Sequence, residues 1–167
     1  ALQNVLCFGN DDGYISVDAV GEEPIFYSWS NSAIVDSISN LAPGEYILNV
    51  VDEFTCIAVD TFIISEPSLL MSEAIVTTDF NGFNVSCFAD SNGLAEVIYL
   101  GGTSPYEVQW SNGDTTDIAD SLSAGTYNVL VSDTNGCETS TSVTLFQPTP
   151  LELSYDSVAV SCFGGND

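Results

Sequence analysis

The sequence predicts an all-β fold of tandem immunoglobulin-like β-sandwich domains, about 80 residues per repeat with one disulfide in each. Three observations carry that expectation. The chain matches itself at an offset near 80, its apolar residues alternate with period two, and Cys, Trp and Tyr recur at fixed places in each repeat.

The offset comes first. "CFGNDDG" (Cys7 to Gly13) aligns with "CFADSNG" (Cys87 to Gly93) at a separation of 80. After one inserted residue the separation is 81 and holds through Pro24 and Pro105, Trp29 and Trp110, Gly44 and Gly125, Tyr46 and Tyr127, Asp52 and Asp133, Cys56 and Cys137, and Pro67 and Pro148. A period this long marks domains that each fold alone rather than the turns of a solenoid. "VSCFGGND" (Val160 to Asp167) repeats "VSCFADSN" (Val85 to Asn92) and opens a third copy. The expected division is therefore 1–67, a first repeat lacking its first strand; 68–148, a complete second repeat; and 149–167, the start of a third, truncated one.

Each element of the second repeat reads as a strand. "GTYNVLVSD" (Gly125 to Asp133) places Tyr127, Val129 and Val131 on one face and Asn128, Leu130 and Ser132 on the other. "CETSTSVTL" (Cys137 to Leu145) continues as its hairpin partner. Between them "DTNG" (Asp133 to Gly136) has turn chemistry, since Asn and Gly tolerate positive φ and an Asp side chain bonds its own downstream backbone. Further strands are expected at Glu73–Phe80, Ala95–Gly101, Tyr106–Ser111 and Thr116–Leu122. "LAPGEY" and "LSAGTY" put Tyr46 and Tyr127 where a tyrosine corner would stand. Trp29 and Trp110, at one place in both repeats, are expected in the cores rather than as exposed platforms for stacking sugars.

Charge bounds the chemistry. The 167 residues hold 24 Asp plus Glu and no Lys, Arg or His, a formal net charge of -24. That leaves no histidine for a nucleophile triad, no lysine for a Schiff base and no arginine to clamp a phosphate. No enzyme activity and no required cofactor are expected. Glu22 and Glu23 do not make a glycosidase pair, because neighbours on an extended chain point opposite ways and the second repeat has Gly102 and Thr103 there. A uniformly negative surface also argues against nucleic acid and anionic lipid as partners, and no apolar run is long enough for membrane insertion. A salty or calcium-containing medium is expected, because only mobile ions relieve the repulsion. The acidic turns offer carboxylate and carbonyl oxygens of the kind calcium takes, with Asp12, Asp90, Asn92, Asp133 and Asn135 as the candidates. Plain Asx-turn chemistry is the favoured reading of each turn.

Five cysteines at wide, regular separations point to structural disulfides in an oxidising, extracellular setting. Cys7 to Cys56 spans 49 residues and Cys87 to Cys137 spans 50, and equal spans favour the pairs Cys7–Cys56 and Cys87–Cys137, one inside each repeat. Cys162 is expected to be unpaired only by truncation, its partner lying about 50 residues beyond Asp167 if the period continues.

"VSCFADSNGLAEVIYLGGTSPYEVQWSNGDTTDIADSLSAGTYNVLVSDTNGCETSTSVTLFQP" (Val85 to Pro148) resembles the SprB repeat of gliding-motility adhesins and other large surface proteins. That pattern runs Cys-Phe-Gly-Gly-x-Asp-Gly, Gly-Gly-x-x-Pro-Tyr, Trp-Ser-Asn-Gly, Leu-x-x-Gly-x-Tyr, Asp-x-x-Gly-Cys and a closing Pro. The first repeat departs from it at "DEFTC" (Asp52 to Cys56), which lacks the turn glycine, and at "GEEP" (Gly21 to Pro24). The resemblance implies a long multi-repeat protein of the cell surface, exported by type IX secretion and used for attachment or gliding, with no enzyme activity. The expected partners are neighbouring repeats, identical chains in a fibre, and surface polysaccharide or other cells; a carbohydrate-binding module and a ligand-free filament subunit are the rival readings. With no Gly or Ser spacer after Pro67 or Pro148, adjacent domains are expected to meet closely in a semi-rigid rod.

Overall fold

The structure, a computed structural model, describes residues 1–156 and Phe163. Its strands in chain order are β1 (Leu2–Gln3), β2 (Gly13–Ser16), β3 (Phe26–Trp29), β4 (Ser37–Leu41), β5 (Gly44–Val51), β6 (Ile57–Ile64), β7 (Met71–Val76), β8 (Gly93–Leu100), β9 (Tyr106–Trp110), β10 (Ile118–Leu122), β11 (Gly125–Asp133) and β12 (Glu138–Leu145). No helix occurs among the described residues. The strands form four antiparallel three-stranded sheets, β1-β2-β4 and β3-β5-β6, then β7-β8-β10 and β9-β11-β12. The second set repeats the first with every strand advanced by six. We call these the first and second units.

Period-two patterning explains why each unit is a sandwich. In β11, Val129 and Val131 face inward and are buried, and Leu130 between them is only half-covered. Equivalent alternation in β2, β5 and β8 builds two separate cores, one around Ile15, Trp29, Leu41 and Leu48 and the other around Val97, Trp110, Leu122 and Val129. Both tryptophans end the third strand of their unit and are almost wholly buried. A buried indole N–H needs an acceptor. Trp29 Nε1 donates to the Val35 carbonyl at 2.8 Å, and Trp110 Nε1 to the Thr116 carbonyl at 3.0 Å.

Two further devices close each unit. Tyr46 donates its hydroxyl to the Ala42 carbonyl at 3.0 Å and Tyr127 to the Ser123 carbonyl at 3.2 Å, which makes both of them tyrosine corners. The β11–β12 hairpin turns at Asp133–Gly136, with Gly136 at φ 80° and its N–H on the Asp133 carbonyl. The first unit makes the same turn without the glycine: Thr55 takes φ 66° instead. One strand is shorter than its sequence suggests, since β7 ends at Val76 and a tight turn through Asn81 and Gly82, both at positive φ, pairs Phe80 with Phe83.

The disulfide pairing differs from the expectation. Cys7 bonds Cys137, so the bridge runs from the first unit to the second, and neither Cys7–Cys56 nor Cys87–Cys137 forms. Strand length is the reason. Cys56 precedes β6, whereas Cys7 lies at the other end of that strand, where Val5 N–H donates to Ser65 O and Gly9 N–H to Glu66 Oε2. Eight residues of β6 hold the two ends about 26 Å apart at ~3.3 Å per residue, far beyond the ~7 Å limit between bridged Cα atoms. β12 separates Cys87 from Cys137 in the same way. Among the described residues Cys56 and Cys87 are exposed and have no disulfide partner; the expectation for Cys162 lies outside the described residues.

Candidate functional site

The bridge marks the junction between the units. Unit one presents there the loop after β1, with Leu6, Cys7 and Phe8; unit two presents the β11–β12 turn and the loop between β8 and β9. Cys7 and Cys137 stand 5.6 Å apart at Cα. Beside them Asn135 Nδ2 donates to the Leu6 carbonyl at 3.0 Å and to Thr103 Oγ1 at 3.2 Å, a second tie across the junction.

Asp133 organises the unit-two side. Its carboxylate accepts N–H groups of Thr103 at 2.8 Å and of Asn135 and Cys137 at 2.9 Å each. Burial alone would raise the pKa of this carboxyl. The backbone N–H groups of Cys137, Thr103, Asn135 and Gly136 outweigh it and hold the group below the ordinary carboxylate value. On the adjacent face burial pushes the Tyr99 phenol up, aided by its 3.0 Å hydrogen bond to Asp117 and by the charge there.

The linker completes the junction. Ser68 accepts the Gly102 N–H at 2.8 Å, and Leu70 is buried against Gly102. Gly102 has φ 62°, and a Cβ there would lie 2.8 Å from Asp133 Oδ2, so this close approach of linker, loop and turn requires glycine. From Met71 the linker becomes β7 and pairs with β8 from Leu100 back to Ala95.

The other acidic-turn residues act as local caps. Asp12 Oδ1 accepts the Leu6 N–H at 3.0 Å. Asp90 Oδ2 accepts the Ser86 hydroxyl, and Asn92 Oδ1 the Ser86 N–H. Among the described residues no three acidic or cysteine side chains gather as a metal site. Asp133 and Asn135 do meet, but at the junction and with their polar atoms engaged by protein groups. Sequence reasoning missed the role of Leu70 and Gly102, although the continuity of Pro67 into the next strand was a signal that linker and domain are one piece.

The SprB repeat family model matches residues 1–34 and 83–115. Two regions of the chain are thus similar to the SprB repeat. Each matched stretch includes the cysteine-bearing loop and the core tryptophan of its unit, Trp29 or Trp110. No curated protein matches the chain. Among solved structures the amphioxus IgVJ-C2 molecule is similar, with 12% identity over 83% of this chain and 97% of that one, at a TM-score of 0.39.

Proposed function

We propose that this chain is a stalk or fibre segment of an exported bacterial surface adhesin used in attachment or gliding. The observation that carries this reading is the covalent junction. Its Cys7–Cys137 bridge, with a linker that becomes the next strand, makes two SprB repeats into a stiff pair suited to transmitting force. The disulfide fits an oxidising location outside the cell. Type IX secretion is the export route this reading implies. With no Lys, Arg or His the chain acts by holding rather than by catalysis, and it needs no cofactor. Divalent ions such as calcium serve as diffuse counterions to its 24 carboxylates.

The rival carbohydrate-binding reading loses its natural platform, because Trp29 and Trp110 are buried with their indole N–H groups engaged. Antibody against the chain tests the adhesive reading. Immunogold should decorate filaments projecting from the producing cells, and Fab fragments should block their attachment or gliding on glass. Label confined to the cell interior, or attachment unchanged at saturating Fab, would overturn it.

A further inference from the structure

The outer faces of β3-β5-β6 and β9-β11-β12 carry opposite chemistry. In β3-β5-β6 the register sets Phe26 beside Val51 and Ile57, and Asn49 beside Val59, all on the side away from Trp29 and Leu48. Ile47 and Ile63 extend the same face. Phe26, Ile57, Val59 and Ile63 are 59%, 69%, 61% and 66% exposed. An antiparallel sheet with one face on a core and the other in water alternates apolar inside with polar outside. β6 breaks that rule, since Ile57, Val59 and Ile63 all face outward.

The fold does not demand this. At the equivalent places the second unit has Glu107, Asn128 and Ser132 for Phe26, Ile47 and Val51, and Glu138, Ser140 and Thr144 for Ile57, Val59 and Ile63. Every one of these apolar side chains is matched by a polar one in the same sheet of the same fold, so the sandwich itself does not require them. Nor does the junction. In the second unit the bridge and the linker are in place, and Glu138, Ser140 and Thr144 stay exposed. A neighbouring unit held in that way therefore leaves this face of the sheet open. The apolar surface offered by Phe26, Ile57, Val59, Ile63 and their half-buried neighbours comes to roughly 500 Å², a size at which a patch on a soluble protein marks an interaction site.

We propose that two copies of the chain meet at this face, sheet on sheet, through β3, β5 and β6. Charge decides the occupant. Copies of charge -24 repel, and with no Lys, Arg or His no ion pair across an interface can relieve that repulsion. Contact is therefore confined to surface nearly free of carboxylates. Of the residues facing outward on this sheet, two on β3 and four each on β5 and β6, Glu45 alone is charged, and it lies at one end. The matching face of the second unit carries Glu107 and Glu138. A face that meets its own copy buries both patches, roughly 1,000 Å² together, which reaches the threshold of a specific interface. The contact is isologous and closes as a dimer. It rests on the reading of the chain as a fibre segment, for which it supplies a side-by-side contact.

The test uses purified protein, so it can fail while the attachment assay succeeds, and the reverse. Thiols are first alkylated with iodoacetamide without reduction, which leaves Cys7–Cys137 intact and prevents oxidative cross-links. Sedimentation equilibrium should show monomer and dimer, with the dimer favoured as sodium sulfate rises, because the salt screens the repulsion and strengthens apolar contact. An interface held by ion pairs would respond the other way. I57E with V59S, which installs the residues of the second unit, should weaken the dimer about tenfold or more with both urea transitions still in place. The reverse exchange, E138I with S140V, should give the second unit such a face and produce species larger than the dimer. In wild-type dimers of differently isotope-labelled copies, methyl NOEs between copies should run among Ile57, Val59 and Ile63. A monomer at every salt concentration up to millimolar protein would overturn the proposal. So would a dimer that I57E with V59S leaves unchanged, or one whose intermolecular NOEs fall on the second unit.

Discussion

The two units share topology, core tryptophan, tyrosine corner and a cis proline at Pro24 and Pro105, yet differ at one end. In unit two a strand delivered by the linker lengthens β8 to eight residues, buries Leu70 and draws the Gly102 loop onto Asp133. In unit one the corresponding strand is the two-residue β1, paired only with Tyr14 and Ile15; β2 stops after four residues, and the Asp52 side chain accepts the Cys56 N–H, at 2.8 Å. In unit two the strand that completes the sandwich is the linker itself, paired along β8.

The sharpest way to break that comparison is to remove the tryptophans. Trp29→Ala and Trp110→Ala each delete a buried anchor worth about 3–5 kcal/mol, a large share of a domain's ~5–15 kcal/mol. The completed second unit should survive W110A with a lowered denaturation midpoint, whereas W29A should leave the first unit unfolded in buffer, as two-transition urea melts would read. Equal losses in both units would deny the open end any energetic meaning. Leu70→Ala comes next. It should cost the second unit about 2–4 kcal/mol and leave the first transition in place; a shift of both transitions would mean that the units unfold as one.

Asp133 and Asp52 sharpen the same contrast at smaller scale. Replacing Asp133 with Asn weakens three charge-assisted backbone contacts, so D133N should cost about 1–3 kcal/mol and D52N, with one contact, distinctly less. The pH dependence follows from the lowered pKa of Asp133. Its contribution is fully present above the unfolded-state value near 3.9 and is lost as pH falls below that toward the folded value. Acid titration of the second transition should show this loss in wild type and not in D133N.

Much of the architecture was legible in the chain. The Leu-x-x-Gly-x-Tyr motifs and the alternation through Val129 and Val131 predict the all-β fold, both tyrosine corners and the burial of those valines from sequence alone. The disulfide was not, for a definite reason. Equal spans between cysteines are satisfied both by pairs within units and by a pair reaching one period onward, because a period added to one partner leaves the regularity intact. What decides is that Cys7 and Cys56 occupy opposite ends of β6, and strand length separates them. Nor does a list of acidic turns say which will cap its own loop, as Asp12 does, and which will organise a junction, as Asp133 does. That depends on what the linker brings against it.

The smallest effect tests the turn itself. Thr55 holds φ 66° at the place where Gly136 holds φ 80°, and a β-branched residue in that region is strained because its Cβ crowds the backbone. Thr55→Gly removes the clash but adds freedom to the unfolded chain, so the net gain for the first unit should be only about 0.5–1 kcal/mol. The reciprocal change, Gly136→Thr, should cost the second unit about 1–2 kcal/mol, since it introduces the strain that Thr55 already bears. The two changes should move only their own transitions. If G136T also loosens the Cys7–Cys137 junction, seen as an expansion by small-angle scattering with the bridge reduced, then the turn geometry positions the bridging cysteine as well as closing the hairpin.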